Sequence, residues 1–149
     1  MKIYLESSVP NFLFHSDSPE KQEITKKFFQ EKLSKNKGFI SDLVLDELEK
    51  TPEPKRSKLR DVITKHKLKA LKLTKEARVL AEKYIEEGII PQKYSTDALH
   101  IAIAVINKMD ALVSWNMEHI VKLKTIKGVN EVNKRLNYPN IFINTPEEI

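Results

Sequence analysis

The sequence predicts an α/β sandwich around a mainly parallel central sheet. Short apolar segments alternate with helical segments along the chain, and this alternation is typical of parallel sheets covered by helices. The chain has 149 residues, which suits one domain, and no repeat or low-complexity tract divides it. We therefore expect residues 1–149 to form a single α/β domain.

Local signals predict each element in turn. The predicted strands are short apolar runs, at residues 2–5, 38–40, 68–73, 111–115 and 141–143. The run 68–73 is mixed in character, which predicts an exposed or edge strand. The predicted helices lie between these strands, at about residues 18–34, 41–50, 55–67, 74–88, from 95 onward and 124–136. Serine or threonine marks most of their starts, Pro19 stands at a first helical position, and Gly88 marks a helix end.

The charge of the chain is positive but dispersed. Lysine and arginine exceed aspartate and glutamate by 26 to 21, which gives a formal net charge of +5. This excess is compatible with contact to a polyanion. However, many lysines alternate with glutamates on predicted helix faces, so we interpret most of the charge as a solvated surface with i,i+4 pairs.

Several classes of function find no support in the composition. The chain has no cysteine, which excludes disulfides and cysteine-based zinc sites. Its three glycines are isolated, at positions 38, 88 and 128, which argues against phosphate-binding loops, and no G-x-S-x-G elbow is present. No secretory signal and no membrane-spanning apolar run occur, so we expect a cytoplasmic protein.

Polar residues follow two predicted strands at their carboxyl ends. The first strand stops at Glu6, and the fourth runs into Ser114, Trp115 and Asn116. Ligands of open parallel sheets bind outside the carboxyl ends of the strands, near the switch in strand order. We therefore expect Glu6 and Asn116 to belong to one site. Trp115 could stack on a base there, although a lone tryptophan at a strand end is usually a packing residue.

The segment SDLVLDELEK predicts a helix that carries an inward-facing acid. Its apolar residues share one face, at positions 43, 44 and 48. Glu47 falls on this face, whereas Asp46 falls on the opposite, solvated side. A buried carboxylate needs a partner. Glu47 therefore either forms an ion pair with a lysine or arginine or belongs to a functional site, and this segment alone leaves both interpretations open.

A third acid opens the most apolar helix of the chain, in the segment STDALHIAIAVINKMD. Asp97 lies in the first turn, where a carboxylate also complements the helix dipole. His100 follows one turn later and could approach the same place. A histidine on an apolar helix is more often a hydrogen-bonded core residue than a catalyst, so we expect His100 at most to support a site.

With these positions in order, the sequence resembles the PIN-domain nucleases, especially the VapC-like toxins of prokaryotic toxin–antitoxin pairs. The likeness covers essentially the whole chain. The family's Asp-x-Ser or Asp-Thr-Ser at the end of the first strand is matched here by Leu5-Glu6-Ser7-Ser8-Val9. Its capping serine followed by an inward glutamate is matched by Ser41 to Glu47-Leu48. The most specific pattern, Asp-Ala-Leu-x-x-Ala-x-Ala, is matched by residues 97–104, and the final Thr/Ser-x-Asp by Ser114-Trp115-Asn116.

The resemblance implies a three-layer α/β/α, PIN-like fold and a ribonuclease that uses Mg²⁺ or Mn²⁺ to hydrolyse RNA phosphodiester bonds. It implies that Glu6, Glu47 and Asp97 are catalytic metal ligands and that Asn116 binds metal through its carbonyl or positions a water. Ser8 and Ser114 would orient this group. Hard divalent ions do prefer oxygen ligands. The implied partners are RNA, an antitoxin protein and a second copy of the chain in a homodimer, with no membrane.

Two positions depart from the common family pattern. Glu stands at position 6 and Asn at position 116 where many relatives have Asp, which leaves three acids instead of four. This combination resembles a sub-branch with Glu at the first acidic position and Trp-Asn at the last. It leaves a second hypothesis open, a PIN-like module with weak or no activity that binds RNA or a protein partner. A phosphatase of another α/β class is less well supported, because no Asp-x-Asp follows the first strand.

Overall fold

A computed structural model describes all 149 residues of the chain. Its strands are β1 (Lys2–Leu5), β2 (Lys37–Ser41), β3 (Lys69–Leu71), β4 (Ala111–Val113) and β5 (Phe142–Asn144). Its α-helices are α1 (Ser8–Phe12), α2 (Pro19–Lys27), α3 (Asp42–Glu49), α4 (Lys55–Lys65), α5 (Lys75–Glu86), α6 (Ser95–Ile106) and α7 (Leu123–Arg135). A π-helical turn and a 3₁₀ turn extend α2 to Lys35, and a 3₁₀ turn at Gln92–Tyr94 precedes α6.

The strands form one sheet in the order β3-β2-β1-β4-β5. All neighbouring pairs are parallel. The chain builds outward from β1 through β2 to β3 and then returns to place β4 on the other side of β1. The strand order therefore switches between β1 and β4, where Leu5 pairs with Val113. A crevice at the carboxyl ends of these two strands is where an open α/β sheet binds its ligands.

Helices cover both faces of the sheet and enclose two hydrophobic cores. One face packs against α5, α6 and α7, and its buried sheet residues include Tyr4 and Leu112. The other face packs against α1 to α4, and its buried sheet residues include Ile3, Ile40 and Val113. The alternation of side chains along each strand supplies both cores. The predicted three-layer sandwich is confirmed, and the sheet is parallel throughout. None of the helices combines the length and apolarity needed to cross a bilayer.

Local hydrogen bonds explain where elements begin. The hydroxyl of Ser41 accepts the backbone N–H of Leu43 at 3.2 Å and so caps α3. Thr74 caps α5 in the same way, by accepting the N–H of Ala77 at 3.2 Å. Such caps satisfy amide groups that have no partner inside the helix. Gly88 follows α5 with a φ of 74°, which is the left-handed conformation that glycine adopts without strain.

Several elements differ from the prediction, and three boundaries and one additional helix have a clear physical reason. The strand expected at 111–115 ends at Val113, because the N–H of Trp115 donates to the hydroxyl of Ser8 at 2.8 Å instead of to a neighbouring strand. Strand β5 begins one residue late, since the N–H of Ile141 donates to the side chain of Asn130. The helix expected to reach residue 67 ends at 65, because residue 67 is left-handed, with a φ of 52°. Helix α1 has no counterpart in the prediction. Its proline argues against a helix interior, but the proline lies in the first turn of α1, where a helix tolerates it.

Candidate active site

The candidate site lies at the switch in strand order, where β1 and β4 end side by side. The backbone N–H of Glu6 donates to the carbonyl of Val113 at 3.1 Å, which extends the β1–β4 ladder by one step. Glu6 therefore comes next to Ser114, although 108 positions separate them along the chain. This closeness follows from the parallel register of the two strands and from no local motif.

Glu6 is held in place by two serine hydroxyls. Its Oε1 accepts hydrogen bonds from Ser8 and from Ser114, each at 2.6 Å. The same hydroxyls accept backbone N–H groups from the segment after β4, Ser8 from Trp115 at 2.8 Å and Ser114 from Asn116 at 2.9 Å. The carboxylate is buried, with 8% of the residue exposed. Both serine bonds go to one oxygen, so Oε2 remains free to bind another group.

Asp97 stands in the first turn of α6 as a second, partly buried carboxylate. Burial raises the pKa of its carboxyl above the usual range, and the negative charge of Glu6 raises it further. His100, His119 and Asn116 act in the opposite direction without cancelling the rise. An acid whose pKa is raised by a neighbouring acid is a group that a cation would stabilise. Glu6 and Asp97 are thus near enough for the charge of Glu6 to raise the pKa of Asp97.

Glu47 lies at the border of the site and not in the core. Its side chain is 49% exposed, so the predicted burial on the inner face of α3 is wrong. Val44 and Leu48 take that face, and Glu47 sits at its edge. Its Oε1 is 4.0 Å from Nε2 of His100, so its partner is a histidine and not a lysine or arginine. Partial burial would raise the pKa of Glu47, but His100 and the hydroxyl of Ser7 outweigh this effect and lower it.

His100 belongs to a buried hydrogen-bonded chain and faces Glu47 across 4.0 Å. Its Nδ1 lies 2.7 Å from the hydroxyl of Tyr4, which donates to the hydroxyl of Ser41 at 2.7 Å. Tyr4 and Ser41 are fully buried, and His100 is 1% exposed. Nδ1 of His100 shares a hydrogen bond with the tyrosine oxygen, and Nε2 faces the carboxylate of Glu47. This arrangement anchors His100 in the core beside Glu47.

Asn116 turns its amide toward the acids. Its Oδ1 accepts the backbone N–H of His119 at 3.0 Å and closes the turn that follows β4. Its NH₂ group is therefore the part that approaches Asp97, whose pKa it lowers. An aspartate at this position would present a third negative charge instead. The carbonyl that the family resemblance assigns to a metal thus also accepts a hydrogen bond within the turn.

The donor set fits a divalent cation through two carboxylates. No three histidine, aspartate or glutamate side chains lie close enough to share one metal ion. Mg²⁺, however, commonly takes one or two protein carboxylates and keeps several waters. The free Oε2 of Glu6 and the under-compensated Asp97 offer such a pair. Glu47 is set apart from them by its contact with His100.

The aromatic residues around the site differ in whether they pack in the core or lie beside the site. Trp115 is 7% exposed, and its Nε1 donates to Thr25 at 2.9 Å, so it is a packing residue and not a base-stacking one. Lys21 lies over its ring, with Nζ 5.4 Å from the centroid. The rings of Tyr94 and His119 stack at 3.7 Å beside the start of α6. Sequence reasoning missed this pair, because no spacing signal connects two residues from different loops.

No protein-family model matches the chain, and no curated protein matches it. Among solved structures, it is similar to a chain in the crystal structure of VapBC2 from Rickettsia felis bound to a DNA fragment from their promoter. The TM-score is 0.63 at 19% identity, and the similarity covers 97% of this chain and 98% of that one. At this identity the similarity establishes the fold. The protein therefore has the PIN-like α/β/α fold that its sequence predicts.

Proposed function

We propose that this protein is a metal-dependent endoribonuclease of the PIN/VapC type, which hydrolyses RNA phosphodiester bonds. The observation that carries the proposal is the carboxylate pair of Glu6 and Asp97 at the switch between β1 and β4. Glu6 keeps Oε2 free, and burial, together with the charge of Glu6, raises the pKa of Asp97. A buried acid and a partly buried acid that repel each other destabilise a fold unless a ligand compensates their charge.

Mg²⁺ or Mn²⁺ would be held mainly by Glu6 and Asp97. Glu47 and Asn116, the other two ligands that the resemblance implies, would have to turn from their contacts with His100 and His119 to reach the ion. A divalent ion bound there would supply Lewis-acid chemistry, by lowering the pKa of a water and stabilising charge on the phosphate. Ser8 and Ser114 keep the carboxylate of Glu6 in one orientation. His100 lies beside Glu47, and the amide of Asn116 offsets part of the charge on Asp97.

Basic side chains near the cleft would hold the RNA phosphates. Lys21 and Lys93 are the candidates that lie beside site elements, Lys21 over Trp115 and Lys93 with Nζ 5.7 Å from the ring of Tyr94. Contacts of this kind position a backbone without reading its sequence. Each lysine therefore supports RNA binding in the proposal and takes no part in bond cleavage.

The deciding experiment is cleavage of a mixed RNA pool by the purified protein with Mg²⁺ or Mn²⁺, compared with Asp97→Asn. We expect metal-dependent cleavage by the wild-type protein and a loss of at least about 100-fold in the variant, since the second carboxylate is removed. Equal cleavage by both proteins would contradict the proposal. So would an absence of cleavage with either metal.

We also propose that the protein is the cytoplasmic toxin of a toxin–antitoxin pair and acts as a homodimer. The similar chain comes from VapBC2, bound to DNA from its promoter, which supports an antitoxin protein as partner. Induced expression should then arrest growth, and co-expression of an antitoxin, sought as a small open reading frame beside the gene, should relieve the arrest. Light scattering of the purified protein tests the dimer.

A second candidate, a PIN-like module with weak or no activity, is favoured by one observation. Asn116 replaces a possible acid and uses its carbonyl inside the turn, and no three acidic or histidine side chains share one ion position. Calorimetric titration with Mn²⁺ separates the two candidates. Binding that disappears in Glu6→Gln supports the nuclease, whereas no binding in the wild-type protein supports the module.

A further inference from the structure

A cavity of about 440 Å³ opens at the amino ends of β2 and β3, at the opposite end of the sheet from Glu6. Lysine side chains dominate its lining, and we call these four the lysine pocket: Lys37, Lys65, Lys67 and Lys69. All four are exposed. The cavity has no part in the candidate active site and shares no residue with it.

The parallel pairing of β2 and β3 brings the four lysines together. Lys37 is the first residue of β2 and Lys69 the first of β3, so both stand at the same edge of the sheet. Lys65 is the last residue of α4, and Lys67 follows with a φ of 52°. Glycine is the usual residue in this left-handed conformation at a helix end. At this position lysine adopts a strained backbone conformation and adds a positive charge to the pocket.

The positive charge of the lysine pocket is not compensated by acids. No carboxylate lines the cavity, and none of its lysines forms an ion pair. Elsewhere arginines pair with acids, as Arg60 with Glu49 and Arg135 with Glu87, whereas no lysine of the chain forms an ion pair. What distinguishes the pocket is that several lysines share one cavity with no carboxylate in its lining. His66 also lines the cavity, and its burial, together with the charge of Lys65, lowers its pKa. The pocket therefore presents the charges of the lysines at neutral pH.

We propose that the lysine pocket binds the phosphodiester backbone of a polynucleotide. Clustered cations in a concave surface attract polyanions, and phosphate contacts provide most of the affinity of nucleic-acid complexes. The pocket lacks the fixed donors that hold a single mononucleotide: no arginine and no glycine-rich loop line it, and α4 presents its carboxyl-terminal end. Flexible lysines suit a backbone that can shift along them. The proposal goes beyond RNA cleavage, because RNA and DNA share this backbone.

The first test compares two triple variants of the full-length protein, each in an Asp97→Asn background that prevents cleavage. One carries Lys65→Gln, Lys67→Gln and Lys69→Gln. The other, a matched control, removes three exposed lysines from α5 and α7 on the other face of the sheet: Lys75→Gln, Lys127→Gln and Lys134→Gln. Fluorescence anisotropy with a short single-stranded RNA, and separately with a duplex DNA of the same length, gives affinities over a series of salt concentrations.

We expect the pocket variant to bind at least one of the two nucleic acids about tenfold or more weakly than the control variant. For single-stranded RNA, the slope of log affinity against log salt should fall by about 2, since each phosphate contact contributes about 0.7. Equal affinities and slopes for the two variants on both nucleic acids would overturn the proposal. Polyglutamate that competes as well as RNA for the pocket would overturn it too, because it would indicate an acidic protein partner.

A second pair of variants removes one charge without weakening the fold. Lys67→Gly relieves the strain of the left-handed backbone, and Lys108→Gly does the same outside the pocket, where φ is 56°. Both variants should melt at or above the wild-type temperature. Only Lys67→Gly should bind nucleic acid more weakly, by about two- to threefold, with a slope lower by about 0.7 for single-stranded RNA. Equal affinities of the two variants would count against the pocket.

The lysine pocket and the proposed nuclease can fail independently. Metal-dependent cleavage together with unchanged binding in the pocket variants would leave the nuclease standing and remove the pocket. Pocket-dependent binding by a protein that cleaves no RNA would do the reverse.

Discussion

The two ends of the central sheet carry opposite charge and are built in different ways. At the carboxyl end, Glu6 is buried and held by two serine hydroxyls at 2.6 Å. At the amino end, the lysine pocket consists of exposed side chains without ion-pair partners. A carboxylate against a hydrophobic core has to be hydrogen-bonded, whereas a lysine at the rim keeps its charge in water. At the acidic end, hydrogen bonds therefore fix the position of a carboxylate. At the basic end, the exposed lysines provide charge without fixed positions.

The same type of substitution should therefore have unequal effects at the two ends. Removing one group from a connected buried network disturbs its neighbours as well. Removing one exposed charge among four leaves the others in place. Matched variants at the two ends turn this comparison into measurements.

The largest difference is expected between Ser114→Ala and Ser34→Ala. Ser114 is fully buried and donates to Glu6, so its loss frees the carboxylate and also leaves the N–H of Asn116 without its acceptor. We expect RNA cleavage to fall about 10- to 100-fold, as when an outer partner of a metal ligand is removed. Ser34 lines the lysine pocket, is exposed, and donates only to the carbonyl of Gln30, so Ser34→Ala should cleave within about twofold of the wild type.

Steady-state cleavage rates and thermal melting of the two variants check this prediction. Ser114→Ala should also lower the free energy of unfolding by about 1 to 3 kcal/mol, since buried polar groups lose partners. If cleavage by Ser114→Ala matched that by Ser34→Ala, the serine would not be orienting Glu6. A protein unfolded at the assay temperature is recognised by its melting curve.

Much of the acidic end can be predicted from the sequence, because few residues determine it. Apolar runs predict the strands, parallel strands end at one edge, and Glu6 and Ser114 directly follow two of them. The bond between Ser114 and Glu6 cannot be predicted in this way, since it depends on a register that only the folded sheet fixes. The exposure of Glu47 also escapes prediction, because helical periodicity gives a direction and not the depth of the neighbouring layer.

The lysine pocket could not be predicted, for a related reason. Along the chain its lysines look like ordinary surface charge, scattered between residues 37 and 69. They come together because β2 pairs with β3 and because the backbone at Lys67 is left-handed. Neither feature has a reliable signal in a single sequence. Net charge predicts attraction to polyanions, and only the fold predicts where that attraction is concentrated.

Asn116→Asp should lower the free energy of unfolding, whereas Asn36→Asp should leave it unchanged or raise it. At position 116 the new carboxylate keeps the bond from the N–H of His119 but faces Asp97 in place of an amide. We expect a loss of about 1 kcal/mol in EDTA, or about 2–4 °C in Tm, because like charges approach each other. At position 36 the new charge lies in the lining of the lysine pocket and should be neutral or stabilising.

Thermal melting with EDTA and then with Mn²⁺ checks the Asn116→Asp prediction. Mn²⁺ should raise the Tm of Asn116→Asp by more than it raises that of the wild type, because an ion stabilises the state that binds it more tightly. It should leave Asn36→Asp with the wild-type response. An identical response of all three proteins would mean that no metal site exists near residue 116.

The smallest expected effect is a gain in stability on removing one acid. The folded-state pKa of Asp97 is raised, so the folded protein binds more protons than the unfolded chain between the usual aspartate range and that pKa. Stability therefore falls as pH rises through this interval, and the penalty persists above it. In EDTA, Asp97→Asn should melt at most about 2–4 °C higher at pH 7, since the helix dipole in the first turn of α6 favours the carboxylate by about 0.3–1 kcal/mol and offsets part of the gain. Near pH 3 the two proteins should melt alike.

Asp110→Asn is the control at the other end of the sheet, where Asp110 accepts the N–H of Lys2 at 2.8 Å, and it should bring no gain. An equal gain from both variants would show that the effect does not come from the crowding of acids around Glu6.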